Sequence, residues 1–590
     1  MSDAALGSIL PLAVACPLLG AVICPIAGRR SGSLALAIAA ASLLGSCAVL
    51  GLEAPRVFGG RTIIVHFMGH WTPVHGHALG IGWAADPFGL VFAIAAALVG
   101  VVLVVYTMSA MAALGRGELG GFACLFLVLD AALIGAALTG DLFNLFVWFE
   151  VAAIASYALT AFYLDRPMAL EAAFKILVLT TIASFAIFIG AGFLYQDHGA
   201  LNFAQLHDSI AAHGLRTADV VALGLLVGGF ATKAGLIPFH AWLPDAHTAA
   251  PAPVSAMFSG LMVNLGIVAI ARLVLQVFPT QHGVPFLGLL MGMGLLSAVV
   301  GSALALGQDN LKRLLAYDTV AQMGVLAVGF ATADKSGVAG AAYHLANHVA
   351  FKSLLFLTAG AIIHTLGVEN LSEMGGLARR KPFLFAAFLL GVASIAGVPP
   401  LNGYSSRNLI HEGLISTHQL WALAVLAVAE ILTFAALAKA AWLMFLQRRR
   451  DPYGEERASA AGMSISLLVL GVLCLAFGLV PGELSSKVMA PAAAGLLDAP
   501  VYARGVLHAT AVQLPQLHVH SSFVSMEGIL STGITLVVGG LLASFVVRRG
   551  TPRPITLLRG FHTGSANDYA MYAVLGLVVG VAVLRLAWSG

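Results

Sequence analysis

The strongest constraint on this chain is a run of about 20 apolar residues, the length that crosses a bilayer as a helix, which recurs from one end to the other. Sixteen such stretches are read, at about 6–28, 33–54, 87–108, 119–139, 142–163, 170–195, 219–242, 251–277, 284–306, 313–332, 337–365, 382–417 (broken), 419–447, 462–482, 525–547 and 569–588. Only 10% of the 590 residues are charged, and 59% are hydrophobic. That is too little charge to cover a soluble domain of this length. Lipid offers backbone polar groups no partner, so such segments must close their hydrogen bonds within helices. The expected fold is all-α and polytopic, with about 16 transmembrane helices.

The basic residues check this count independently. With the N-terminus outside and the chain crossing at every stretch, the inside loops hold Arg29, Arg30, Arg116, Arg166, Lys312, Arg313, Arg379, Arg380, Lys381, Arg448, Arg449, Arg450, Arg457, Arg548, Arg549, Arg553 and Arg559. The outside loops hold only Arg56, Arg61, Arg216, Lys335, Lys487 and Arg504. A correct topology shows this positive-inside bias, and one missed helix would scramble it. The reading is a multi-pass protein of the cell inner membrane with both termini on the non-cytoplasmic side. The first apolar stretch carries Arg29 and Arg30 after it rather than before it, the reverse of a signal peptide, so it reads as a retained helix.

Several functions are set aside. The net charge of +3 suggests no nucleic-acid partner. Cys16, Cys24, Cys47, Cys124 and Cys474 lie in apolar stretches without a CxxC pair, a spacing that offers neither an iron–sulfur nor a zinc site. No Gly-rich nucleotide loop is present, and the chain is expected to bind no cofactor and no metal. The outside loops contain His66, His70, His75 and His77, and His508, His518 and His520, but no carboxylate or cysteine completes a ligand pattern. They read as solvated loops.

Charges within the spans are the informative residues. Lys175, Lys233, Arg272, Lys352, Arg407, Lys439 and Arg585 fall in or at the edges of spans, as do Asp130, Glu150, Glu171, Glu412 and Glu430. One charge at the bilayer centre costs roughly 3 kcal/mol on insertion scales, so several imply a polar interior path or strong pairing. Lys439 and Arg585 are placed to snorkel at helix ends; Glu150 and Lys233 are not. Glu150 has apolar residues on both sides. Lys233 precedes Pro238, which removes a backbone donor and breaks the helix, as is tolerated where backbone lines a hydrated cavity or is buried in protein. A desolvated lysine beside such a break, facing a glutamate, is a workable proton switch. Pro399 and Pro400 make a second break, followed by Arg407, His411 and Glu412. Between the breaks, His344, His348 and Lys352 at i, i+4, i+8 share one helix face, and without a third metal ligand they read as a proton relay.

These motifs resemble the antiporter-like membrane subunits shared by Mrp-type Na⁺/H⁺ antiporters, respiratory complex I and membrane-bound hydrogenases. The resemblance covers roughly residues 80–480. It rests on the Glu150 segment, LIPFHAWLPDAHTAAPAPVSA after Lys233, DNLKRLLAYDTVAQMG from Asp309, the His344–Lys352 face and SIAGVPPLNGY. It implies two inverted five-helix repeats, about 115–275 and 285–450, each with a broken helix. By the resemblance Glu150 and Lys233 form the charge pair of the first half-channel, His344 and His348 belong to a central hydrophilic axis, and Arg407 stands where the family usually has a lysine. Asn264 also replaces a lysine common in the family, and Arg407 stays protonated where a proton carrier is expected. Glu412 or His411 is then the candidate to take over the proton in the second half; the other reading is a weakened second half-channel.

The chain divides into 1–110, N-terminal helices with a His-containing outside loop; 111–480, the antiporter-like core; and 481–590, an outside loop and two further helices. No segment matches the long lateral helix of the longest family members. The expected function is H⁺ or Na⁺ translocation within a hetero-oligomeric complex. In one reading it is the ion-translocating part of a complex I- or hydrogenase-like redox pump, with soluble redox partners and no redox centre of its own. In another it is a subunit of a multi-subunit antiporter with other membrane subunits. A third is a structural membrane partner of a soluble subunit.

Overall fold

The computed structural model describes residues 2–278, 286–448, 461–508, 512–519 and 521–589. His520, Arg449, Arg450 and Arg457 of the sequence reading lie outside them. Among the described residues fifteen helices are long and apolar enough to cross a membrane: α1 Asp3–Arg30, α2 Gly32–Gly59, α3 Pro87–Ala110, α4 Arg116–Leu138, α5 Leu142–Thr160, α6 Pro167–His198, α7 Thr217–Ala234, α8 Ala252–Val277, α9 Phe286–Leu306, α10 Leu311–Ala331, α11 Lys335–Leu366 and, further on, Leu420–Leu446, Ala461–Leu479, Met526–Arg549 and Ala566–Trp588. The sixteenth stretch is the broken one: α12 Pro382–Ile395 and α13 Asn402–Ser416. The last four long helices are accordingly α14 to α17. The chain is a multi-pass α-helical membrane protein. One small antiparallel pair, Ile64–Phe67 with Gly82–Ala85, sits in the loop before α3.

Polar residues at the loop–helix junctions explain where many helices begin. The side chains of Asp86, Asp141, Asn310, Asp334 and Ser525 each accept a backbone N–H of the first turn, satisfying donors that the helix itself leaves free. The helices then pack through small residues, as expected where lipid removes the hydrophobic drive between them. Gly294 of α9 and Gly324 of α10 face each other so closely that a methyl on either would strike the opposing backbone. The central helices α8 and α10 are buried over almost their whole length, whereas α16 and α17 are largely exposed at the flank.

The first break differs in place from the sequence reading. The stretch at about 219–242 is not one helix: α7 ends at Ala234 and a short helix resumes at Trp242. The turn is made at Gly235, whose φ of 70° suits glycine and few other residues. Pro238 then prevents the helix from re-forming. In the second break Gly397 has φ 69°, with Pro399 and Pro400 following. Backbone groups freed by the breaks are taken up by side chains, as burial demands. Ile237 N donates to Ser297 Oγ (2.9 Å) and Trp242 Nε1 to the Thr232 carbonyl (2.8 Å). Thr532 Oγ1 donates to the Gly397 carbonyl (2.9 Å) and Asn347 Nδ2 to the Asn402 carbonyl (2.8 Å).

The two C-terminal spans are distributed between the breaks. α16 packs on α14 and reaches the second break through Thr532. α17 packs on α6 and α7, with Gly576 against Pro238 and Phe239.

Candidate functional site

In the first half, α5 presents Glu150 to Lys233 in the last turn of α7. Lys233 Nζ lies 3.4 Å from Glu150 Oε1 and 3.0 Å from Ser184 Oγ of α6. The Ser184 hydroxyl donates in turn to Glu150 Oε1, so it bridges acid and base. The pair is asymmetric: the lysine side chain is 2% exposed and the carboxylate 34%. Glu150 therefore opens on the flank of the bundle while Lys233 faces its interior.

The middle of the molecule is spanned by α11. His344 Nε2 is 2.9 Å from Gln322 Oε1 of α10, and its Nδ1 is 3.1 Å from Ser406 Oγ of α13. His348 Nδ1 is 3.2 Å from Asn264 Nδ2. Asn264 follows a π-helical turn at Phe258–Met262 and keeps a polar link to the centre through His348. Lys352 pairs with Asp318 of α10, both side chains fully buried, and donates to the Leu315 carbonyl at 3.1 Å. Asp318 was not singled out from the sequence, although it is the sole acid within α10. A buried Lys352 required such a partner, and that requirement was the available signal.

In the second half, Arg407 is held from three sides. Its NH1 donates to the Ala396 carbonyl in the break at 3.0 Å and lies 3.6 Å from Glu430 Oε2 of α14. Its NH2 donates to Thr532 Oγ1 of α16 at 2.5 Å. Glu430 Oε1 lies 2.8 Å from His411 Nε2. Glu412 sits elsewhere: it faces α11, where Ser336 Oγ donates to it at 3.3 Å. The acid beside Arg407 is Glu430, and Glu412 does not join it. Sequence numbering put Glu412 nearby, but one residue along a helix turns a side chain by about 100°.

Two spaces join this site. A void of about 20 Å³, room for about one water, is bordered by Gln322, His344, Arg407 and Glu430. A cavity of about 440 Å³ is lined by His411, Glu412, Asn408, Ser525 and Glu527. At the opposite, arginine-bearing end of the spans, a cavity of about 530 Å³ is lined by Arg166, Lys312, His364 and Glu369.

Other span charges are structural. Arg272 forms a doubly bonded pair with Asp86 at 2.7 and 3.0 Å, both buried. Lys439 does not snorkel as expected; it is buried and donates to the carbonyls of Leu306 and Gln308, each at 2.6 Å. Arg585 is exposed. Lys175 pairs with Glu171 (2.6 Å) and Asp245 (3.0 Å). Asp245 also meets Arg313 at 3.3 Å and His562 of the C-terminal segment at 3.6 Å.

A multi-pass helical bundle with two unwound helices and a buried row of ionisable groups between them defines a membrane protein of the ion-translocating type. Residues 139–433 match the family described as NADH:quinone oxidoreductase/Mrp antiporter, transmembrane, and the chain belongs to that family. It is 32% identical to NADH-quinone oxidoreductase subunit N of Desulforudis audaxviator over 72% of this chain and 86% of that one. It is 33% identical to hydrogenase-4 component B of Escherichia coli, over 64% of this chain and 58% of that one. The solved Mrp complex from a Dietzia species contains a chain that superposes with a TM-score of 0.78 at 28% identity, over 85% of this chain and 99% of that one.

Proposed function

We propose that this chain is the ion-translocating membrane subunit of a hetero-oligomeric complex, carrying H⁺ or Na⁺ along the row from Glu150 and Lys233, past Lys352, His348 and His344, to Arg407 and His411. The observation that carries the reading is that these ionisable groups are kept in the interior: Glu150, one-third exposed, with buried Lys233, then buried Lys352 with Asp318, His348 and His344, and His411 lining an open cavity. Buried charges cost too much to be kept without a use or a partner, and these stand beside both broken helices. The likeness of the two breaks, each a glycine turn followed by proline, supports two inverted repeats within a core at 111–480, with 1–110 and 481–590 as additions.

Electron transfer in soluble partner subunits drives the movement, and the chain itself binds no cofactor. The likeness to a quinone oxidoreductase subunit and a hydrogenase component supports this reading. Exchange of Na⁺ for H⁺ with only membrane partners is the second reading, supported by the likeness to an Mrp complex. The basic residues support an inner-membrane protein with both termini on the non-cytoplasmic side.

The test is ion flux in the complex purified through this chain and reconstituted in liposomes. Glu150→Gln and Lys233→Ala should each cut flux by about 10²-fold, the scale of losing a positioned acid–base group, without loss of the protein from the membrane. Full flux in both variants would overturn the path. The subunits that co-purify decide the energy source: iron–sulfur or nickel–iron chains support the redox pump, small membrane chains alone the antiporter.

A further inference from the structure

We infer that Glu430 is the proton carrier of the second half of the row, that His411 passes its proton to the cavity beyond, and that Thr532 of the C-terminal spans is a positioning residue fixing Arg407 beside it. This rests on the translocating reading above and names the acid that titrates beside Arg407, where the sequence pointed to Glu412 or His411.

Arg407 cannot do this work, because a guanidinium stays protonated. It is also held too firmly to swing, by the Ala396 carbonyl at one nitrogen and Thr532 at another. Glu430 stands between two cations or potential cations. Its Oε1 meets His411 Nε2 at 2.8 Å. Its Oε2 faces Arg407 across 3.6 Å and accepts no hydrogen bond among the described residues. The carboxylate side chain is only 10% exposed. The groups turned toward it from the surrounding helices are Arg407 and His411 of α13, His344 of α11, Gln322 of α10 and Thr433 of its own helix. The water-sized void touches both His344 and Glu430, and so reaches the acid from the central row. On the far side His411 lines the large cavity.

The step balances without another reactant. A proton arriving through the void adds to Glu430 and leaves Arg407 as the uncompensated charge. Glu430 then gives that proton to His411 Nε2 in the tautomer protonated at Nδ1. The imidazolium then turns its Nε2–H toward the cavity, releases that proton to water there, and turns back still protonated at Nδ1, the starting tautomer. Arg407 favours the return of Glu430 to its anion, so the proton does not stay on it. Thr532 matters because it sets the separation of cation and acid. It lies on a span beyond residue 433, where the match to the family ends, so the C-terminal spans complete the second half and do not merely flank it.

The same reconstituted complex provides the test. Glu430→Gln should lower proton flux by about 10²-fold, with Glu430→Asp retaining a measurable share. Thr532→Val should lower it roughly 10-fold, as loss of one positioning hydrogen bond implies, and displace the pH profile, while Thr532→Ser restores both. Infrared difference spectra on acidification should show a carboxyl band that Glu430→Gln removes, a readout independent of flux. Full flux in Glu430→Gln with Glu150→Gln inactive would overturn the role of Glu430 and leave the function standing. Full flux in both would overturn the function itself. If Glu430→Gln does not assemble, Glu430→Asp and His411→Asn decide, and unchanged pH profiles in both overturn the inference.

Discussion

Lys352 and Asp318 illustrate what a single pair of residues does in this interior. Each side chain is fully buried, and an unpaired charge there would have no solvent. Removing one partner of such a pair typically costs about 3–5 kcal/mol, whereas replacing both by apolar residues of similar volume is often neutral or better. Asp318→Leu should therefore lower the thermal midpoint of the purified protein sharply, and Lys352→Met with Asp318→Leu should recover much of the loss. Flux should not recover with stability, because the double variant leaves a gap in the row between Lys233 and His348. Stability and flux measured on the same preparations separate the two roles. Asp130 is a different case: it is buried in α4 and neither oxygen has a hydrogen-bond partner among the described residues. No feature of the row explains it.

Among the elements, the broken helices do most to shape the site. α12 and α13 meet at Gly397, whose backbone is left-handed. A methyl at that position would be strained, by roughly 1–2 kcal/mol, and would abut the guanidinium of Arg407. Gly397→Ala should consequently reduce flux more than its small loss of stability explains, since it moves the cation that faces Glu430. Gly235→Ala in the first break carries the same backbone strain, but there the methyl would meet Leu243. Its effect on flux should be the smaller of the two, as read in the liposome assay. Both breaks were legible in the sequence from their prolines. The point at which α7 stops was not, because Gly235 lies within a stretch hydrophobic enough to read as one span, and its left-handed backbone against Leu243 shows only in the folded chain.

At the scale of the whole molecule, the two C-terminal spans sit one against each broken helix, α16 at the second and α17 at the first. A chain ended after residue 520 should still insert into the membrane, since each remaining span closes its own backbone hydrogen bonds. It should lose most of its flux, because Arg407 is then released from Thr532 and Asp245 from His562; membrane abundance and flux of the same truncated chain check both halves of this expectation. The sequence by itself determined the class of protein and the number of crossings, while the pairing of Glu150 with Lys233 was implied by the family resemblance and is seen in the bundle. The first two follow from hydrophobic length, which acts along the chain, and from a charge content too low to cover a soluble domain. The tertiary structure alone decided which acid meets Arg407. Glu412 is five residues from it and turned toward Ser336, whereas Glu430 is on the next span and in contact. The same holds for Asp318 and for Thr532, which reaches Arg407 across 125 residues of chain. Partners across the bundle are fixed by how helices rotate and pack against one another, and no spacing within a single helix carries that information.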